Sequence, residues 1–169
     1  VAVENFSATI VAAPRLCTDI LELSVELERP LAFLPGQYAD VNAPEIDGPR
    51  SYSFAFAPDK GWAQSLRFHI RHVPGGSFTN WLFNGDRVGA KLMLTAPYGQ
   101  FRLKPGSAPM LCIAGGSGLA PILAILEEAL AHGGIQPVTR LYGARTRQNL
   151  YCLDEIEALR AAWKAPFVF

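Results

Sequence analysis

Apolar and polar residues alternate along Phe6–Ala12 and again along Ile20–Leu27, the period-2 signature of strands with one buried face. A Pro35-Gly36 turn signal precedes a third such stretch, Gln37–Asn42. Arg50–Ala57, Ser65–His72 and Lys91–Ala96 complete the set, and Gly75-Gly76 breaks the chain before a short helical stretch at Phe78–Phe83. Six short strands punctuated by Gly and Pro predict a closed antiparallel barrel.

After Lys104-Pro-Gly-Ser-Ala-Pro109, which reads as a linker, the pattern changes. Met110–Ala114 is an unbroken apolar run, as expected for a strand buried on both faces. Gly115–Gly118 is a tight turn, and Leu119–Ala131 carries a helical pattern with Glu127 and Glu128 on its wet side. Val138–Tyr142 reads as a second buried strand, Leu153–Trp163 as a second helix, and Phe167–Phe169 as the start of a third strand. This order predicts a parallel, doubly wound sheet. The expected division is a barrel domain over residues 1–104 and the N-terminal half of a parallel-sheet domain over residues 109–169. The short second part and a start at Val1 without Met suggest a fragment of a longer protein.

Composition narrows the function. Half of the 169 residues are hydrophobic and 18% are charged, which excludes a disordered chain. Lys plus Arg and Asp plus Glu number 15 each and are scattered, so no footprint for nucleic acid is expected. Residues 105–126 carry no charge, but Pro105, Pro109 and Pro121 with four glycines break the run, so no membrane span is expected. The N-terminus lacks the pattern of a signal peptide. Cys17, Cys112 and Cys152 are far apart with no C-x-x-C pair, so this chain cannot build a zinc or iron–sulfur site alone. They read as reduced, buried thiols, which fits a cytoplasmic protein. His69, His72 and His132 are not spaced for a metal, and Trp62, Trp81 and Trp163 read as packing residues.

Three segments carry candidate chemistry. Gly115-Gly-Ser-Gly-Leu-Ala-Pro121 follows a strand and opens a helix, where bare backbone and free N–H groups suit a diphosphate. Gly115, Gly116, Gly118 and Pro121 are its candidate residues, and a plain strand-to-helix turn is the alternative. Arg50-Ser51-Tyr52-Ser53 places a guanidinium beside a phenol ring, suited to an anionic aromatic ligand. An amphipathic strand with a surface Arg is the alternative there. In the third segment, His69, Ile70 and Arg71 lead into a loop whose Gly75, Gly76, Ser77, Phe78 and Thr79 could cradle a second anion. Otherwise Ser77 or Thr79 is an ordinary helix cap. Arg145 and Arg147, after the second parallel strand, lie where such folds meet the adenosine end of a nucleotide, or form a solvated loop.

Taken together, the chain resembles the ferredoxin–NADP reductase family. It looks most similar to the reductase components of bacterial multicomponent oxygenases, such as those of benzoate dioxygenase or soluble methane monooxygenase. Five motifs carry the resemblance in order: Pro35-Gly-Gln-Tyr38, Arg50-Ser-Tyr-Ser53, Val73-Pro-Gly-Gly-Ser-Phe-Thr79, Pro97-Tyr-Gly-Gln-Phe101 and Gly115–Pro121, with Ser117 for the commoner Thr. The resemblance implies an FAD-binding barrel followed by an NAD(P)-binding sheet. It implies Arg50 on the FAD diphosphate, Tyr52 against the flavin ring and Ser53 near flavin N5. It also implies Gly76, Ser77 and Thr79 on the FAD diphosphate, and the Gly115–Pro121 turn on the nicotinamide nucleotide. Tyr52 and Ser53 are then the candidate catalytic residues. The implied function is hydride transfer from NADH, favoured over NADPH, to FAD. Single electrons would follow to a [2Fe–2S] ferredoxin domain or protein serving an oxygenase component. The alternative is an FAD-binding electron-relay subunit or fragment that does not itself oxidise NAD(P)H. The family's later Cys-Gly-Pro-rich motif, whose Cys approaches the nicotinamide, is absent from this sequence.

Overall fold

The computed structural model describes residues 2–169. Six strands form the first sheet: β1 (Glu4–Ala12), β2 (Ile20–Ala32), β3 (Tyr38–Asn42), β4 (Arg50–Ser53), β5 (Trp62–Arg71) and β6 (Lys91–Tyr98). Their order is β4-β3-β6-β1-β2-β5, and every named pairing is antiparallel. The end strands approach at a single Phe54–Phe68 bridge, supported by the Ala55 N–H donating to the Arg67 carbonyl at 2.9 Å. The barrel is therefore nearly closed rather than fully laddered. Alternation chose the inward faces: Phe6, Ala8 and Ile10 on β1, Leu23, Val25 and Leu27 on β2, and Leu66, Phe68 and Ile70 on β5 are all sealed in one core.

Two turns of the resemblance prove to be parts of one joint in this barrel. Gly36 (φ 94°) sits under the Phe101 carbonyl, where a Cβ would overlap the oxygen and come within 3.1 Å of Ile125 Cδ1. The Gln37 side chain accepts from the Leu34 N–H at 2.8 Å and donates to the Gly99 carbonyl at 3.1 Å. Gly99 (φ 98°) lets the Tyr38 ring pass within 3.1 Å of where its Cβ would stand. The Pro35–Tyr38 and Pro97–Phe101 motifs thus brace each other.

The second unit is a parallel sheet of β7 (Met110–Gly115), β8 (Val138–Gly143) and β9 (Phe167–Val168), in that order. Helix α1 (Ser77–Phe83) belongs to the barrel, while α2 (Leu119–Ala131) and α3 (Leu153–Ala162) connect the parallel strands. Successive right-handed crossovers in one direction put both helices on one face. Accordingly Leu123 and Leu126 of α2 and Ile156 of α3 share one core with Cys112, Ala114 and Val138 of the sheet.

Several expectations need correction. β7 and β8 are not buried on both faces: Leu111 and Ile113 are about two-thirds exposed (64% and 65%) because no described helix covers that side. Glu127 is not on a wet face, since it accepts the Ala57 N–H at 2.7 Å and ties α2 to the barrel. Trp62 is exposed rather than packed, while Trp163 is buried and donates to the Gln136 carbonyl. Cys112 is buried, but Cys17 and Cys152 are only half-buried. No helix among the described residues is long and apolar enough to cross a membrane.

Candidate functional site

The candidate residues fall into two groups. The first gathers where β4 meets the start of α1. Period-2 alternation sends Arg50 and Tyr52 one way and Ser51 the other. Arg50 Nη1 rests on the carbonyls of Gly48 and Pro49 at 3.2 and 2.9 Å, and Nη2 reaches Ser77 Oγ at 3.4 Å. The guanidinium is exposed yet already aimed at the α1 entry. The Tyr52 ring lies 5.8 Å from Phe78, and burial pushes its phenol up to about 12 against the opposing pull of Arg50. It therefore stays a neutral aromatic surface across the physiological range. Ser51 Oγ donates to Asp40 Oδ1, and Ser53 pairs with Tyr38 at the end of β4.

The loop before α1 is built by Thr79. Its hydroxyl accepts from the Val73 N–H and donates to the Val73 carbonyl, both at 3.1 Å. Gly76 is held so tightly over this hydroxyl that a Cβ would stand 2.9 Å from it. The helix cap is Gly76, not Ser77 or Thr79. Thr79 thus shapes the loop from inside, while Ser77 is exposed, and the first amides of α1 have no carbonyl a turn earlier within the helix to receive them. Gly75 (φ 78°) has open space around it.

The second group lies between the barrel and the parallel sheet. A cavity of about 320 Å³ is lined by Asp19, Arg71, Gly116, Gly143, Ala144, Arg145 and Asn149. Gly116 (φ 53°) follows the last residue of β7, Gly118 opens onto free space, and Pro121 sits in the first turn of α2. Gly115 pairs with Gly143, so β7 and β8 both end in glycine beside the cavity. Ligands of open α/β sheets bind at such carboxyl ends of strands.

The β5 residues divide between the groups and the core. The Ile70 side chain is sealed in the barrel, so only its backbone can serve a ligand. His69 and Arg71 point outward to the second group. Arg71 Nε pairs with Asp19 Oδ2 at 3.3 Å, and Asp19 also accepts from Asn149 Nδ2 at 2.9 Å. His69 is 4% exposed, with Nδ1 3.2 Å from the Tyr151 hydroxyl. Asp19, Asn149 and Tyr151 had no sequence signal, because their roles arise only when two units meet. The outward phase of His69 on β5 was the one available hint.

Burial opposes the charged form of Asp19, but hydrogen bonds from Asn149 and Cys17 and the Arg71 charge outweigh it, so its carboxyl lies below the usual range. The neighbouring His69 ring, its Nε2 3.7 Å from Oε2, and the Arg67 charge likewise hold Glu22 low. Depressed carboxylates contribute stability above their unfolded pKa and lose it as pH falls through the folded value. The seam between the units should therefore weaken as pH drops below about 4. Asp19→Asn is expected to flatten that acid limb in a melting series from neutral to acid pH. An unchanged acid limb would contradict the assignment of Asp19.

A guanidinium and hydroxyl beside an aromatic shelf, and a glycine-rich strand end on the same chain, carry the donor chemistry that anionic aromatic ligands such as nucleotides require. Sequence comparison agrees. Residues 7–103 match the oxidoreductase FAD-binding domain family and residues 112–168 the oxidoreductase NAD-binding domain family. The chain belongs to the ferredoxin–NADP reductase-like family of FAD- and NAD(P)-binding oxidoreductases. It is 50% identical over 161 residues to a xylene/toluene monooxygenase electron transfer component of Pseudomonas putida, covering 95% of this chain and 45% of that protein. It is 41% identical to the ferredoxin–NAD(P)(+) reductase component of a naphthalene 1,2-dioxygenase system from the same species, over 90% of this chain and 46% of that one. The crystal structure of an Amycolatopsis cytochrome P450 reductase superposes with a TM-score of 0.87 at 30% identity, covering 98% of this chain and 56% of the other. The chain thus spans about half the length of the proteins it matches.

Proposed function

We propose that this chain is the flavin module of an oxygenase reductase component, working in the cytoplasm. It takes hydride from NADH and delivers electrons singly to a [2Fe–2S] ferredoxin domain or protein. The observation that carries the reading is the pairing of two ligand-ready clusters on one chain: Arg50, Ser77 and Tyr52 on the barrel, and the Gly116 turn with its cavity on the sheet. Relatives named as electron transfer and reductase components of oxygenase systems support it. The division at residues 104–109 is part of the proposal.

The donor set suits FAD. Arg50 and Ser77 would hold the diphosphate with the amides of Ser77 and Phe78, across a loop kept bare by Gly75 and Gly76. Tyr52 would offer its neutral ring to the flavin. Ser53, at the last rung of β4, would hydrogen-bond near flavin N5. Gly115, Gly116, Gly118 and Pro121 would shape the bed for the nicotinamide nucleotide. Bound FAD would supply the chemistry, accepting a hydride and releasing single electrons. Among the described residues no group of three or more His, Cys, Asp or Glu converges as metal ligands, so the iron–sulfur centre is assigned to another domain or protein.

Titrating flavin-free chain with FAD should quench flavin fluorescence and saturate at equal amounts of FAD and chain; no binding would overturn the reading. Ser53→Ala should slow reduction by NADH roughly tenfold, the scale of one lost hydrogen bond, with FAD affinity little changed. A variant that is reduced at the wild-type rate would remove Ser53 from the role.

A further inference from the structure

A chain of polar contacts crosses from the barrel to the glycine-rich turn. The Tyr151 hydroxyl donates to the Gly116 carbonyl at 3.1 Å. With its only hydrogen spent there, it accepts from His69 Nδ1 at 3.2 Å. His69 Nε2 in turn lies 3.7 Å from Glu22 Oε2 on β2. Tyr151 and His69 are each 4% exposed, and their rings meet edge to face at 5.2 Å. The Tyr151 backbone is fixed as well, its N–H donating to the Tyr142 hydroxyl at 3.3 Å.

A peptide unit is planar and trans, so its C=O and N–H point in opposite directions. Fixing the Gly116 carbonyl toward Tyr151 therefore fixes the Ser117 N–H away from it. Gly116 has φ 53°, and glycine is the residue least able to hold one backbone state unaided. The Gly116 carbonyl also accepts the Leu119 N–H, which joins the turn to α2.

We propose that Tyr151, anchored to the barrel through His69 on β5, is a positioning residue that sets the Gly116–Ser117 peptide so that the Ser117 N–H meets the diphosphate of the nicotinamide nucleotide. This rests on the reading of the Gly115–Gly118 turn as the nucleotide bed. Its consequence is that nucleotide affinity depends on a contact made by the flavin barrel. His69 then serves the nicotinamide nucleotide through Tyr151, and not the flavin.

Tyr151→Phe removes only the hydroxyl. In the FAD-loaded chain it should weaken NAD⁺ binding, read by calorimetry, roughly tenfold, while FAD content stays near wild type and the melting midpoint falls by only a few degrees. In amide NMR spectra without nucleotide, the Gly116 and Ser117 resonances should move and those of Gly75–Phe78 should not. His69→Phe should repeat both effects more weakly. Wild-type NAD⁺ affinity in Tyr151→Phe, or unmoved Gly116 and Ser117 amides, would overturn the proposal alone. Failure of the wild-type chain itself to bind NAD⁺ would overturn the nucleotide reading, and the proposal with it.

Discussion

Arg50→Ala is expected to leave a folded chain that no longer retains FAD through purification. A hydrogen bond to a charged group contributes about 1.5–3 kcal/mol, which corresponds to roughly a 10- to 150-fold rise in the FAD dissociation constant. The loss should fall on binding because the Arg50 guanidinium is exposed and touches only loop carbonyls and Ser77 Oγ in the structure. Its removal opens no cavity in the barrel core. Arg50→Lys keeps the charge but not the two-armed geometry, so it should fall between wild type and Ala. FAD titration followed by flavin fluorescence reads all three. Wild-type affinity in Arg50→Ala would place the diphosphate elsewhere.

The second large effect is structural. Gly36→Ala forces an L residue to φ 94°, which costs about 1–2 kcal/mol. It also drives a methyl group into the Phe101 carbonyl and against Ile125, adding about 1–3 kcal/mol of displacement. Together these lower the melting midpoint by roughly 4–20 °C for a chain of this size. The neighbours cannot yield cheaply. Phe101 is constrained by the turn that Gln37 holds at Gly99, and Ile125 lies on α2, one of whose residues, Glu127, is tied to the barrel at Ala57. Gly61, by contrast, has φ 82° but open space around it. Gly61→Ala should therefore cost only the backbone share. Equal destabilisation at the two sites would contradict the packing argument.

Elements whose faces differ in polarity were legible in the sequence. β1, α2 and β6 start or end within two residues of the expected places, because one buried face imposes an unbroken period. β2 was read to Leu27 but runs to Ala32, since its register breaks between Glu26 and Leu31 and the alternation lapses with it. β4 ends at Ser53, before the expected Ala57, because Phe54 turns to bridge Phe68 and close the barrel. Met110–Ala114 misled in another way. An apolar run says that a strand is in demand of cover, not that the cover lies in the same chain segment.

The candidate site could be put forward from the sequence where the chemistry sits in contiguous residues, as at Arg50–Ser53 and Gly115–Gly118. Contacts between residues distant in sequence gave no such signal. Asp19 lies 52 residues from Arg71 and 130 from Asn149, and Tyr151 lies 82 from His69. Nothing local to Asp19 or Tyr151 marks them. Similarly, Thr79 was expected to face a ligand, yet its hydroxyl closes the loop on Val73, because a buried hydroxyl must find partners within the fold.

The most direct test mixes the FAD-loaded chain with NADH in the absence of oxygen and follows the flavin absorption. The proposed function predicts that the oxidised flavin band bleaches with saturable dependence on NADH, and with weaker saturation by NADPH. A chain that binds FAD fully yet keeps its oxidised spectrum at saturating NADH would contradict it, leaving an electron-relay module that does not itself take hydride.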